Sequence, residues 1–252
     1  MRGRSETWGV CGAAAAAALV LLGPGLVVAG PPYVTDDPGP TDLGHWEIYN
    51  FADGLDAAGA TAGEAGLDLN YGAAKDLQLT AVLPAAYSTG DFNAEGAGMV
   101  ELAAKYRFAH QSDGPLGLDV AVFPRVFLPT AGQGLGYDGV NVLLPVWAEK
   151  DWGAWSLFGG GGWQYNAGPG DHSFFTGGAV LTRQVTKQLS LGGEIWAHTR
   201  DLTSDRDFVG ANLGADYRLT PHWSLLVSGG PGLVGAAEDG RWDFYLALKA
   251  DY

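Results

Sequence analysis

The charged residues of this chain recur at even spacings. In "VELAAKYRF", Glu101, Lys105 and Arg107 share one parity. Asp119 and Arg125 share a parity in the next segment. Glu149, Glu194, Asn212, Asp216, Arg218, Asp243 and Lys249 take the same kind of place downstream. On a strand, even spacing puts side chains on one face. Acids and bases gathered there can pair into a network that fills an interior, or line a passage whose mixed charges select what passes. The spacing fits both.

Catalysis asks for more than charge. His45, His110, His172, His198 and His222 are scattered over different segments. Asp171, His172 and Ser173 are consecutive, but neighbours in a loop rarely form a triad. No zinc spacing, phosphate loop or dinucleotide fingerprint occurs, so no cofactor is expected. "GGGG" at 159–162 interrupts a strand pattern and reads as room for neighbouring aromatics. Catalysis is therefore not expected.

The elements that carry these charges alternate strictly. Val100, Leu102, Ala104, Tyr106 and Phe108 oppose Glu101, Lys105 and Arg107. At the end of the chain, Trp242, Phe244, Leu246, Leu248, Ala250 and Tyr252 oppose Asp243, Tyr245, Lys249 and Asp251. Such segments are strands with one apolar and one polar side. About twelve are expected, with cores at 44–53, 66–74, 77–87, 98–108, 117–128, 139–149, 154–165, 174–184, 189–198, 208–219, 223–231 and 241–252. Each nears the ~9–11 residues of a tilted membrane strand. Pro84, Pro124, Pro145 and Pro231 fall inside these patterns and should mark bulges or strand ends.

The N-terminus differs. Arg2 and Arg4 precede an apolar run over 13–30 that is broken at Pro24, with small residues near Ala29. This reads as a secretory signal peptide over 1–29. The single cysteine, Cys11, lies within it, so a mature chain would carry no disulfide. Losing Arg2, Arg4 and Glu6 moves the formal charge from −14 to −15. That excess excludes nucleic acid as a partner.

Short connections ("KD", "HQSDGPLG", "EKDWG", "VTKQ", "TPH") alternate with long Gly-rich ones. Short turns at one end and long loops at the other describe a transmembrane antiparallel up-and-down β-barrel, an all-β fold over 44–252. A sheet in hydrocarbon must close, because unpaired backbone groups there cost several kcal/mol each. A last strand that is apolar-faced to its final residue fits closure. Tyr71, Tyr87, Tyr106, Phe108, Trp155, Tyr165, Tyr217 and Trp223 fall near strand ends, as interface girdles do. A soluble barrel with an apolar core would alternate too. Strand length and loop asymmetry weigh against it.

"PPYVTDDPGPTDLGHWEIYNFADG", followed by "LDLNYGAAKDLQLTAVLP", resembles the outer-membrane transporter family of the meta-pathway of phenol degradation. That resemblance implies a barrel for passive uptake of small molecules, aromatic or otherwise hydrophobic, and carries no residue-level site. Tyr252 likewise resembles the C-terminal aromatic by which bacterial barrels are recognised for assembly. The expected protein is thus a Gram-negative outer-membrane channel whose partners are outer-membrane lipid, the barrel-assembly machinery and a small-molecule solute. Its lumen-lining candidates are Glu101, Lys105, Arg107, Asp119, Arg125, Glu194, Asp216 and Arg218. Lys105, Arg107 and Arg125 should form a basic patch, with Asp119 neutralising one of them. The alternatives are a closed barrel whose loops bind a partner and a lipid-modifying enzyme. The segment 30–43 is expected on the periplasmic side, as a tether or as a latch entering the lumen, the tether being favoured.

Overall fold

A computed structural model describes residues 31–90, 93–112, 117–166, 168, 171–201, 206–235 and 240–252. The expected signal peptide lies outside them. Fourteen strand segments follow in order: β1 (Trp46–Ala57), β2 (Ala60–Ala74), β3 (Leu77–Ser88), β4 (Ala94–Ala97), β5 (Val100–Ala109), β6 (Asp119–Val122), β7 (Arg125–Leu128), β8 (Asn141–Trp152), β9 (Trp155–Tyr165), β10 (Phe174–Gln184), β11 (Leu189–His198), β12 (Phe208–Thr220), β13 (Trp223–Val234) and β14 (Trp242–Asp251). β4 with β5, and β6 with β7, each make one interrupted strand. The result is a closed antiparallel barrel of twelve strands. β1 pairs β14 from Glu47↔Asp251 to Asp56↔Trp242, and Trp46 and Tyr252 exchange backbone hydrogen bonds at the seam.

Each proline sits where the ladder needs no donor. Pro124 divides β6 from β7, and Pro145 faces that gap across β8. Beyond Val82, β3 leaves β5 and takes β4 as partner from Ala85, so Pro84 stands at the exchange. Pro231 lies where β13 loses its pairing with β12, between Gly229 and Gly232. A missing N–H costs little at these points.

The first two strands outrun their expected ends. β1 and β2 continue through 54–65 to a two-residue hairpin at Ala58 and Gly59, whose φ values are +51° and +80°. Positive φ at both central residues matches the right-handed twist of the strands.

The alternation resolves into two surfaces. Leu79, Leu102, Leu144, Ile195, Leu213 and Leu246 point outward and are exposed. Around the end holding the short turns and the chain terminus stand Trp46, Tyr71, Tyr106, Trp155, Trp223 and Tyr252, with Trp46 and Tyr71 4.7 Å apart between ring centres. Tyr165 and Trp242 stand toward the other end. Inward faces bury the charges and a cluster of Tyr49, Phe51, Val82, Leu226 and Ala247.

Candidate functional site

Glu101 on β5 and Arg125 on β7 face each other inside the barrel, each 2% exposed. Arg125 donates from Nε and Nη2 to the two carboxylate oxygens of Glu101, at 2.7 and 2.6 Å. The guanidinium also lies 5.4 Å from the centre of the Phe123 ring, whose other neighbour is Lys105 at 4.8 Å. A fork-to-fork pair of this kind fixes both position and orientation.

Lys105 has a different partner. Its ammonium meets the Asp36 carboxylate at 2.9 Å and the Gly39 carbonyl at 3.3 Å. Asp36 belongs to the stretch before β1, which enters the lumen and crosses it. There Glu194 on β11 accepts the backbone N–H groups of Val34 and Thr35, while Asn212 on β12 donates to the same carboxylate at 2.7 Å. Ser228 donates to the Pro32 carbonyl. Gln78 on β3 accepts from Thr41, through both N–H and hydroxyl. From Pro32 to Thr41 the hydrogen bonds to the wall run through wall side chains. Backbone pairing begins only at Leu43, which bridges Gly72. The tether expected outside the lumen is therefore a plug inside it, because Lys105, Glu194 and Gln78 offer partners that its buried polar groups need.

The remaining candidates lie toward the turn end or the mouth. Arg107 pairs with Asp76 at 3.0 Å and Asp119 at 3.5 Å, beside the β2–β3 turn. Burial raises the Asp76 carboxyl, but the Arg107 hydrogen bond and the nearby His110 together leave it below its usual range. Asp216 is half-buried, and Arg218 is exposed near the β12–β13 turn. Lys249 meets Asp251 at 3.1 Å. Asp243 is held by Arg241 at 2.7 Å. Glu149 accepts the Ser156 hydroxyl. The expected basic patch is neutralised: Lys105 and Arg125 both lie against the Phe123 ring but each faces its own carboxylate, and Arg107 pairs apart from them near the turns. Asp119 does neutralise Arg107, as the spacing suggests.

Sequence reasoning passes over Tyr33, Gln78, Asp53, Glu64 and Asp68. The last two face inward on β2, and Asp53 stands opposite Glu64 in the ladder. For the plug, the available signal is "TDD" between prolines, a polar run with no strand of its own. Ser173 accepts the Asn166 N–H at 3.4 Å, while the His172 N–H donates to the Asp201 carbonyl.

The plug and a loop-end segment both occupy the lumen. A cavity of about 60 Å³ remains between plug and wall near Lys105, Arg125, Asp68 and Thr80. At the loop end, residues 129–140 fold inward. Leu135 and Tyr137 are buried, and the Tyr137 hydroxyl reaches Asp201 at 3.4 Å. Phe174, Trp196 and Phe208 crowd beneath, with Arg241 4.2 Å from the Phe208 ring centre.

No protein-family model matches the sequence, and no curated protein does. Solved structures match over most of the chain. An outer membrane channel from Pseudomonas putida superposes with a TM-score of 0.68 at 16% identity, covering 86% of this chain and 98% of that one. The fold is that of an outer-membrane β-barrel. The translocator domain of the autotransporter NalP from Neisseria meningitidis gives a TM-score of 0.50 at 14% identity, covering 83% and 88%. The β-domain of a Bordetella autotransporter gives 0.51 at 14%, covering 83% and 99%.

Proposed function

We propose that this chain is an outer-membrane channel for passive uptake of small molecules, aromatic or otherwise hydrophobic, gated by its own N-terminal segment. The observation that carries this reading is the plug. It obstructs the lumen yet stands outside the sheet, held by wall side chains that the barrel does not need for closure. The cavity beside the segment is about 60 Å³, so uptake along that path requires the segment to move. Inward rings such as Phe51, Trp147, Trp196 and Phe208 suit apolar solutes. The exposed outward leucines and the aromatic girdles suit lipid. With the short turns facing the periplasm, the plug enters from that side.

The Asp36–Lys105 contact sets the expected gating. A hydrogen bond between charged groups contributes about 1.5–3 kcal/mol. Asp36→Asn should therefore raise the open fraction about ten- to hundredfold while the barrel stays folded. Lys105→Gln should act in the same direction. Planar-bilayer recordings of wild type, Asp36→Asn and a variant lacking residues 31–40 read this directly. The variants should conduct far more often than wild type, and the mature protein should fractionate with outer membranes and change gel mobility on boiling. Silence from all three proteins, each folded, would favour a closed barrel whose outer loops bind a partner. Hydrolysed lipid in the same vesicles would point to an enzyme.

A further inference from the structure

The plug places one ring in a fitted slot of the wall. Gly192 on β11 and Gly214 on β12 stand directly opposite each other in the ladder. The Tyr33 ring lies on the bare backbone between them. A Cβ on Gly214 would fall 2.6 Å from its Cε1, and one on Gly192 would fall 2.4 Å from its hydroxyl oxygen. Only glycine admits a ring so close to a strand. Phe158 closes one side edge-on, at 6.2 Å and 61°. Tyr33 is 7% exposed, so the slot is nearly filled. Floor and side belong to the barrel, whereas the occupant belongs to a segment held only by side-chain contacts.

We propose that this slot is a binding site for a neutral aromatic solute of phenol size, and that Tyr33 is its tethered competitor. This rests on the reading that solutes traverse the lumen once the segment moves. The slot survives that movement because strand backbone forms it. Its chemistry restricts the ligand. Glu194 accepts the N–H groups of the two residues that follow Tyr33, and the charges of the Glu194 and Asp216 carboxylates raise the phenol of Tyr33 beyond what burial does alone. A hydroxyl can approach them as a donor, whereas a second carboxylate would meet like charge. The slot therefore takes phenols and rejects benzoates.

The probe is p-cresol, which is the tyrosine side chain itself, with 4-methylbenzoate as its charged counterpart. Binding is measured at equilibrium on the full mature chain in lipid nanodiscs. A tethered ligand competes at millimolar effective concentration or above, so Tyr33→Ala should bind p-cresol at least about tenfold more tightly than wild type. Two like charges should weaken 4-methylbenzoate by about tenfold in the same variant. The three heavy atoms nearest a Cβ at position 214 all belong to Tyr33. The double variant Tyr33→Ala with Gly214→Val thus refills the space that the ring leaves and should lose the gain. Equal p-cresol binding by single and double variants overturns the proposal, as does equal binding of the two probes. Should Tyr33→Ala misfold, Asp36→Asn frees the segment without touching the slot, and Gly214→Val must again remove the gain. Conductance is scored separately: a barrel that binds p-cresol yet never conducts keeps the slot and loses the channel, and one that conducts without this binding does the reverse.

Discussion

Replacing Arg125 by Gln is expected to destabilise the barrel by about 3–5 kcal/mol, because it leaves the Glu101 carboxylate buried without its partner. The spacing along the strands places Lys105 and Arg125 in one basic patch of the lumen. The structure gives them different partners, although both lie against the Phe123 ring. Lys105 is neutralised by Asp36 of the N-terminal segment, so its site would open to solvent in the gated channel proposed above. Arg125 is neutralised by the next strand of the wall, at 2.6 Å, with both side chains at 3% exposure. While Asp36 holds Lys105, Arg125 is the cation bonded to Glu101. A double-mutant cycle isolates the pair. Glu101→Gln with Arg125→Gln should recover more than half of the loss, since two neutral amides can hydrogen-bond each other. The readout is the urea midpoint at which the barrel loses its compact gel mobility. An unchanged midpoint for Arg125→Gln alone would mean that water reaches Glu101 and the pair is not buried in the working protein.

How much of this is legible in the sequence depends on whether a feature is local. The parity of Glu101, Lys105 and Arg125 follows from period two, and so does the apolar face of β14. The identity of a partner does not. Lys105 meets Asp36, 69 positions earlier in the chain, and parity names a face without naming what crosses the lumen to meet it. The hairpin end of β1 and β2 is hidden for another reason. Gly54, Ala57, Ala60, Ala62 and Gly63 have no side chains large enough to show alternation, so a continuous ladder reads as a loop. The slot glycines are equally silent. Gly192 and Gly214 fall on the polar faces of their strands with no side chain to mark them until the Tyr33 ring is found lying on them. The plug itself carries no period, and its polar residues read as a tether unless the carboxylate and amide groups waiting inside the barrel are known.

Deleting residues 249–252 should abolish the folded barrel altogether. Those residues supply the seam on both sides. Lys249, Ala250 and Asp251 pair with Tyr49, Ile48 and Glu47 on β1, while Lys249 and Ala250 also pair with Ser224 and Trp223 on β13. Tyr252 adds two backbone hydrogen bonds to Trp46, at 2.7 and 2.9 Å. Without them, backbone groups on both neighbouring strands face the membrane unpaired, a loss on the order of ten kcal/mol even if interfacial water reaches some. That is comparable to the whole stability of an ordinary domain. The ring of Tyr252 has a separate role to test. It packs on His222 at 5.8 Å and Trp223 at 6.4 Å and is itself exposed, so Tyr252→Ala keeps every seam hydrogen bond. Refolding into lipid vesicles, with no assembly machinery present, divides closure from recognition. The deletion should fail both in vesicles and in cells, whereas Tyr252→Ala should fold in vesicles and accumulate poorly in cells. Normal accumulation of Tyr252→Ala in cells would mean that the terminal aromatic is a girdle residue only. Folding of the deletion in vesicles would mean that the barrel can close on eleven complete strands and part of a twelfth, and the seam would then not be what limits this fold.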